Sequence, residues 1–190
     1  IFFQSTLLKT ADSLLNFSHY IRNAFIPKIT IVVALILENI FILTINFIIF
    51  ILIYIGYVLT GHKFQINIQY IIFLPIVILY LSILASSIGL IIACLSAKFR
   101  DLKFISQYGI QILFYATPII YSINSVPLQY KFLFYFNPLT FFIDYFRVVF
   151  FSSNSVEFNY LYSSFIIFII LFLISKKLFQ NTIGKVADYV

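Results

Sequence analysis

From Ile29 to Leu59 the chain runs for 31 residues with one charged side chain, Glu38. At 1.5 Å per helical residue such a stretch reaches about 46 Å, more than the roughly 30 Å hydrocarbon core of a bilayer, so it must tilt or protrude. Three further apolar blocks follow, at about 70–97, 102–121 and 160–174. With 63% of residues hydrophobic and 9% charged, against roughly 25% charged in a soluble domain, the chain cannot cover itself with a polar surface. Backbone groups in lipid must pair within their own segment, and four helical spans do this. The sequence therefore predicts an all-α integral membrane bundle with four spans, one transmembrane domain over residues 1–190.

Several function classes fall away. The net charge of +6 is strung between apolar blocks and makes no basic face for nucleic acid. Cys94 is the single cysteine, and His19 and His62 lie far apart, so no metal-ligand spacing exists. No G-x-x-x-x-G-K-[ST] phosphate loop occurs, so the chain binds no ATP of its own. The six acidic residues are scattered, where a membrane glycosyl- or acyltransferase would cluster them at one face. No catalytic, cofactor or metal residues are assigned. The absence of Met, even at position 1, suggests a chain that lacks a segment at its N-terminus. The 25 Phe and 14 Tyr have a simple source in an AT-rich genome, beside any functional one.

Residues 1–28 are mixed. Leu7, Leu8, Leu14, Leu15, Ile21 and Phe25 recur at three-, four- and seven-residue steps among Lys9, Asp12, Asn16, His19 and Arg22. This spacing predicts one or two amphipathic helices along the membrane surface, ended by Pro27. Small residues Ser82, Ala85, Ser86, Ser87 and Gly89 mark the later half of the second span as a helix-packing face. The third span is interrupted by Pro118. Residues 122–157 read as two short helices at the membrane edge, split at Asn137-Pro138, because proline removes a donor and disfavours helix before it.

Lysine and arginine set the orientation. Residues 1–28, 98–103 and the tail together hold nine, and the opposite side holds three, Lys63, Lys131 and Arg147. The positive-inside rule then puts both ends and the Arg100-Asp101 turn in the cytoplasm and the aromatic segment 122–157 outside.

In order along the chain stand Arg100-Asp101, Gln111, Thr117-Pro118, Tyr121, Val126-Pro127, Asn137-Pro138 and Phe146-Arg147. Upstream lies SLLNFSHYIRNAFIPKI, and the tail reads LFQNTIGKVADYV. This ordered set resembles the C-terminal part of ABC-type-two permeases that export O-antigen, capsule or teichoic acid chains. The resemblance covers essentially the whole chain. It implies a six-span permease seen without its first two spans, in a bacterial inner membrane, with two short re-entrant helices on the outer side. It also implies a homodimer with a second copy, an ATP-binding subunit that holds ATP and Mg, membrane lipids around it, and a lipid-linked glycan as cargo. A Gly that the family often has soon after Phe-Arg is absent at Phe150-Phe151-Ser152, which leaves the substrate subgroup open.

On that resemblance Asn16, Arg22, Phe25, Pro27 and Lys28 belong to a cytoplasmic coupling segment, residues 1–28, that rests on the ATPase. Tyr115, Pro118, Tyr121, Asn137, Pro138, Phe141 and Arg147 belong to the channel or outer gate, 122–157 with the helix end before it. Aromatic faces there could stack on sugar rings, or form an ordinary interfacial aromatic belt. Arg147 could pair with Asp144 three residues back, or meet a lipid-linked pyrophosphate. Glu38 is the intramembrane polar residue, a functional candidate by default. It alone would support a proton-coupled carrier; a permease for drugs or lipids is the nearer alternative.

Overall fold

In the computed structural model the described residues are 1–16, 29–60, 66–99, 101–121, 123–151 and 158–183. Among them the helices are α1 (Phe2–Asn16), α2 (Ile29–Leu59), α3 (Ile68–Ile71), α4 (Leu74–Ser96), α5 (Leu102–Ala116), α6 (Leu128–Tyr135), α7 (Thr140–Phe151) and α8 (Phe158–Ile183). A single 3-10 turn covers Ile123–Ser125. Among the described residues three helices are long and apolar enough to cross a membrane: Ile29–Leu59, Leu74–Ser96 and Tyr160–Thr182.

Each boundary that differs from expectation has a local cause. The second span does not run unbroken from Tyr70: α3 stops at Ile71 and α4 starts at Leu74. Pro75 has no N–H to give the Ile71 carbonyl, and proline is tolerated in the first turn of the new helix. The expected third span, 102–121, is helical only to Ala116. Its 15 residues reach about 22 Å, short of the hydrocarbon core. Pro118 disfavours helix at Thr117, and residues 117–121 leave the helix. The last helix continues to Ile183, nine residues beyond the expected end at Ile174. Lys176 and Lys177 are exposed, and lysine is a good helix former that marks an interface without breaking the helix. The split at Asn137-Pro138 is present between α6 and α7.

Contacts group the chain into two units. The first comprises Ile1–Phe47, Leu81–Ile110 and Ile170–Val190; the second comprises Ile48–Tyr80 and Gln111–Ile169.

In the first unit α1 is packed, where the hydrophobic period suggested a helix lying along the membrane surface. Thr6, Leu7, Thr10, Ala11, Ser13 and Leu14 form one buried stripe. Half of that stripe is hydroxylic. Thr6 Oγ1 donates to Phe2 O at 2.9 Å, Thr10 Oγ1 to Thr6 O at 2.7 Å and Ser13 Oγ to Thr10 O at 2.6 Å. Hydroxyls that bond back to their own helix can be buried without an orphaned donor. The small side chains let α1 approach α4 closely. A Cβ placed on Gly89 would stand 2.7 Å from both Leu7 O and Thr10 Cβ. Leu7, Ala85 and Ile110 form one apolar cluster, and Leu14, Ala93 and Cys94 another, closed by Ile31, Leu178 and Phe179.

α1 and α2 run antiparallel. Ile31 packs on the cluster holding Leu14, Lys9 Nζ meets Glu38 Oε1 at 2.6 Å, and Ser5 Oγ donates to Asn39 Oδ1 at 2.8 Å. The buried Asn39 also donates from Nδ2 to Leu35 O at 2.8 Å. Val32, Leu35 and Asn39 are the buried stripe of α2. Farther along, α2 shows Leu52 and Ile53 outward, as suits a lipid-facing helix.

Two outcomes are expected in detergent melting of the full-length protein. Gly89→Ala lowers stability by about 1–3 kcal/mol, since backbone and not a flexible side-chain tip stands in the way. Lys9→Glu lowers the melting temperature, and adding Glu38→Lys to it restores most of the loss; no recovery in the double variant would show that the pair contributes nothing.

Candidate functional site

The second unit collects most of the expected outer-segment residues in one place. After Ala116 the chain leaves the helix with carbonyls that no helical N–H can reach. Thr117 Oγ1 donates back to Leu113 O at 2.7 Å. Asn137 Nδ2 donates to Thr117 Oγ1 at 2.9 Å and Asn137 Oδ1 accepts the Leu139 N–H at 3.0 Å. That second bond is an Asx turn, which shapes the entry to α7. At the other end of the same stretch, one terminal nitrogen of Arg147 donates to Ile119 O at 3.0 Å and Tyr121 O at 2.9 Å. Residues 117–121 are thus clamped at both ends by side chains 20 to 28 positions downstream.

α7 is anchored in turn to the stretch before α4. Asn67 Nδ2 donates to Val148 O at 2.8 Å, and the Asn67 N–H bonds to Val149 O at 3.1 Å. The Tyr145 hydroxyl donates to Tyr70 O, and the two rings meet edge to face at 6.4 Å. Burial, and secondarily the nearby Tyr70 phenol, raise the Tyr145 phenol above its ordinary value, which keeps the donor protonated. The apolar side of α7 packs its own aromatics. Phe141, Phe142 and Tyr145 are buried, and Phe50 meets Phe150 edge to face at 5.2 Å.

These positions sort the expected residues. Thr117, Pro118, Asn137, Pro138, Tyr121 and Arg147 come together through the clamp. Phe141, at 5% exposure, packs inside the unit. Pro118 and Pro138 are also buried and shape the backbone. Tyr115, 71% exposed, stands outside the clamp with its ring on Phe114. Tyr121 keeps an exposed face and pairs with Phe134 at 6.2 Å. One terminal nitrogen of Arg147 serves two backbone carbonyls, a role that the spacing to Asp144 did not suggest.

In the first unit Asn16 is the exposed last residue of α1. Arg22, Phe25, Pro27 and Lys28 lie outside the described residues. Glu38 is paired with Lys9, both side chains partly exposed, so its place on a span is accounted for by a partner. Hydropathy flagged Glu38 and passed over Lys9; the partners are 29 residues apart. Asn67 and Tyr70 were also missed, and a polar residue just ahead of an apolar run was their one local sign. Among the described residues no group of three His, Cys, Asp or Glu could hold a metal ion.

Arg147→Ala leaves two carbonyls short of a charged donor and is expected to destabilise the segment by roughly 2 kcal/mol. Limited proteolysis of the full-length protein should show new cleavage between residues 117 and 121; cleavage equal to wild type would remove the clamp from consideration.

Comparison with known proteins adds to this geometry. A family model described as ABC-2 type transporter matches residues 1–151. An O-antigen export system permease protein, RfbA of Klebsiella pneumoniae, is 28% identical over 117 residues, 60% of this chain and 44% of the relative. A second RfbA from the same organism is 27% identical over 115 residues, with the same coverage. The chain thus spans less than half the length of these curated relatives. With helices long and apolar enough to cross a bilayer and a match over most of its length, the chain is an integral membrane protein and belongs to the ABC-2 type transporter family.

Proposed function

We propose that this chain is the membrane subunit of an ATP-driven exporter that carries a lipid-linked polysaccharide outward across a bacterial inner membrane. Family membership gives the transport role and implies an ATP-binding partner subunit. The similarity to O-antigen export permeases is the observation that carries the cargo class. On this reading ATP and Mg sit on the partner, two copies of the permease form the passage, and lipid surrounds them. The nine-to-three distribution of Lys and Arg supports a cytoplasmic location for both ends and an outer location for the clamped segment.

The physical argument for an outer gate is rigidity. A short, non-helical stretch held at both ends by Asn137 and Arg147 keeps its shape, while Tyr121 offers a partly exposed ring beside it. An aromatic face of this kind can stack weakly on successive sugar rings and release each one. The segment 1–28, with Asn16, Arg22, Phe25, Pro27 and Lys28, is proposed to meet the ATPase. The side-chain contacts between α1 and α2 would carry that contact into the first unit.

The reading is tested by deleting the gene in its host and measuring surface glycan, with full-length wild type as control. Loss of surface glycan, build-up of the lipid-linked form inside and restoration by wild type are expected. Unchanged surface glycan together with altered resistance to drugs or altered lipid distribution would transfer the assignment to a drug or lipid permease. In the restored strain, Arg22→Ala with Phe25→Ala should abolish co-purification of the ATP-binding subunit; full co-purification would remove residues 17–28 from the contact.

A further inference from the structure

The turn between α6 and α7 has a second tether. Pro138 is buried, and its carbonyl lies just ahead of α7. In a regular helix the Phe142 N–H would reach back four residues to Pro138 O. Here it bonds to Leu139 O at 3.1 Å, and the Ile143 N–H goes to the same oxygen at 3.2 Å. The Pro138 carbonyl is taken up by Ser164 of α8, whose fully buried Oγ donates to it at 3.0 Å. The Tyr80 hydroxyl of α4 stands 3.0 Å from the same Oγ. A carbonyl only accepts, so the Ser164 proton is committed and Tyr80 must be the donor to Ser164. The direction of the relay is therefore Tyr80 to Ser164 to Pro138 O.

Ser164 differs from several other buried or part-buried hydroxyls. Ser86, Ser87, Thr117, Ser163 and Ser175 bond to carbonyls three or four residues back in their own helix. That is the inert way to bury a hydroxyl. Ser164 instead reaches 26 residues back, to a turn, and its partner Tyr80 is 84 residues away. The Tyr80 ring is held between Phe142 of α7 at 5.1 Å and Phe168 of α8 at 4.8 Å. Its hydroxyl thus has a fixed aim.

We propose that Tyr80 and Ser164 are positioning residues for transport, their hydroxyl relay to the Pro138 carbonyl making the Asn137-Pro138 turn follow α4 and α8. The turn is the same one that Asn137 ties to Thr117, so the relay fixes the clamped segment from its far side. For its transport readout this assignment rests on the proposed function; for its structural readout it does not.

The test uses the full-length permease with its ATP-binding subunit, as wild type, Tyr80→Phe, Ser164→Ala and Ser164→Thr. Tyr80→Phe keeps the ring and removes only the hydroxyl, which guards against misfolding. Hydrogen exchange of the amides of residues 139–143 should speed up about fivefold to tenfold in Tyr80→Phe and Ser164→Ala, with α1 unchanged. Glycan moved per ATP hydrolysed should fall about fivefold in both, and Ser164→Thr should stay close to wild type. The double variant should be no worse than Ser164→Ala, because Tyr80 acts through Ser164. Unchanged exchange at 139–143, faster exchange spread equally over α1, or an unchanged transport-to-ATP ratio would each overturn the proposal. A wild type that moves no glycan would overturn the proposed function instead, and the exchange data would still decide the relay.

Discussion

In an apolar surround a carbonyl that leaves the helical ladder has no water to turn to, and it must find a donor in the protein. The second unit is organised around that requirement. Its helices stop at Ala116 and Tyr135 and restart at Thr140, which leaves the stretches 117–121 and 136–139 outside any helix. Asn137 and Arg147 serve the first stretch, and Ser164 and the Asn137 side chain serve the second. Without these partners the irregular backbone has no reason to persist. The Asn-Pro turn is consequently the point where α4, α5, α7 and α8 are joined by hydrogen bonds.

The first unit answers a different constraint. Lipid gives no hydrophobic drive for helices to associate, so close approach and a few polar contacts hold them. Gly89 lets the backbone of α1 lie against α4, and the hydroxyls of Thr6, Thr10 and Ser13 bond inward to their own helix. The polar contacts Lys9–Glu38 and Ser5–Asn39 then set α1 against α2 in register. One unit is therefore built by tight smooth packing, the other by capping irregular backbone.

Much of the helix order was legible because its signals are local. Ile29–Leu59 came out with the expected ends, and the split at Asn137-Pro138 followed from proline alone. The errors came where a local signal was overvalued. Pro118 was read as an interruption and is an end. Lys176-Lys177 was read as an end and is a passage. In α1 the period of Leu7, Leu8, Leu14 and Leu15 suggested a surface helix, whereas the stripe that packs is half hydroxyl and invisible to a hydrophobicity count.

By itself the sequence determined the membrane class, the helical content and the helix ends set by proline and by the long apolar run Ile29–Leu59. Hydropathy, proline and motif order are properties of neighbours in the chain, so they survive without coordinates. Tertiary structure alone decided what the side chains touch: Arg147 on two carbonyls, Glu38 on Lys9, Ser164 on Pro138 and Tyr80 on Ser164. These partners lie 26 to 84 residues apart. A hydrogen bond across such a separation depends on where helices pack, and no local pattern of residues encodes it.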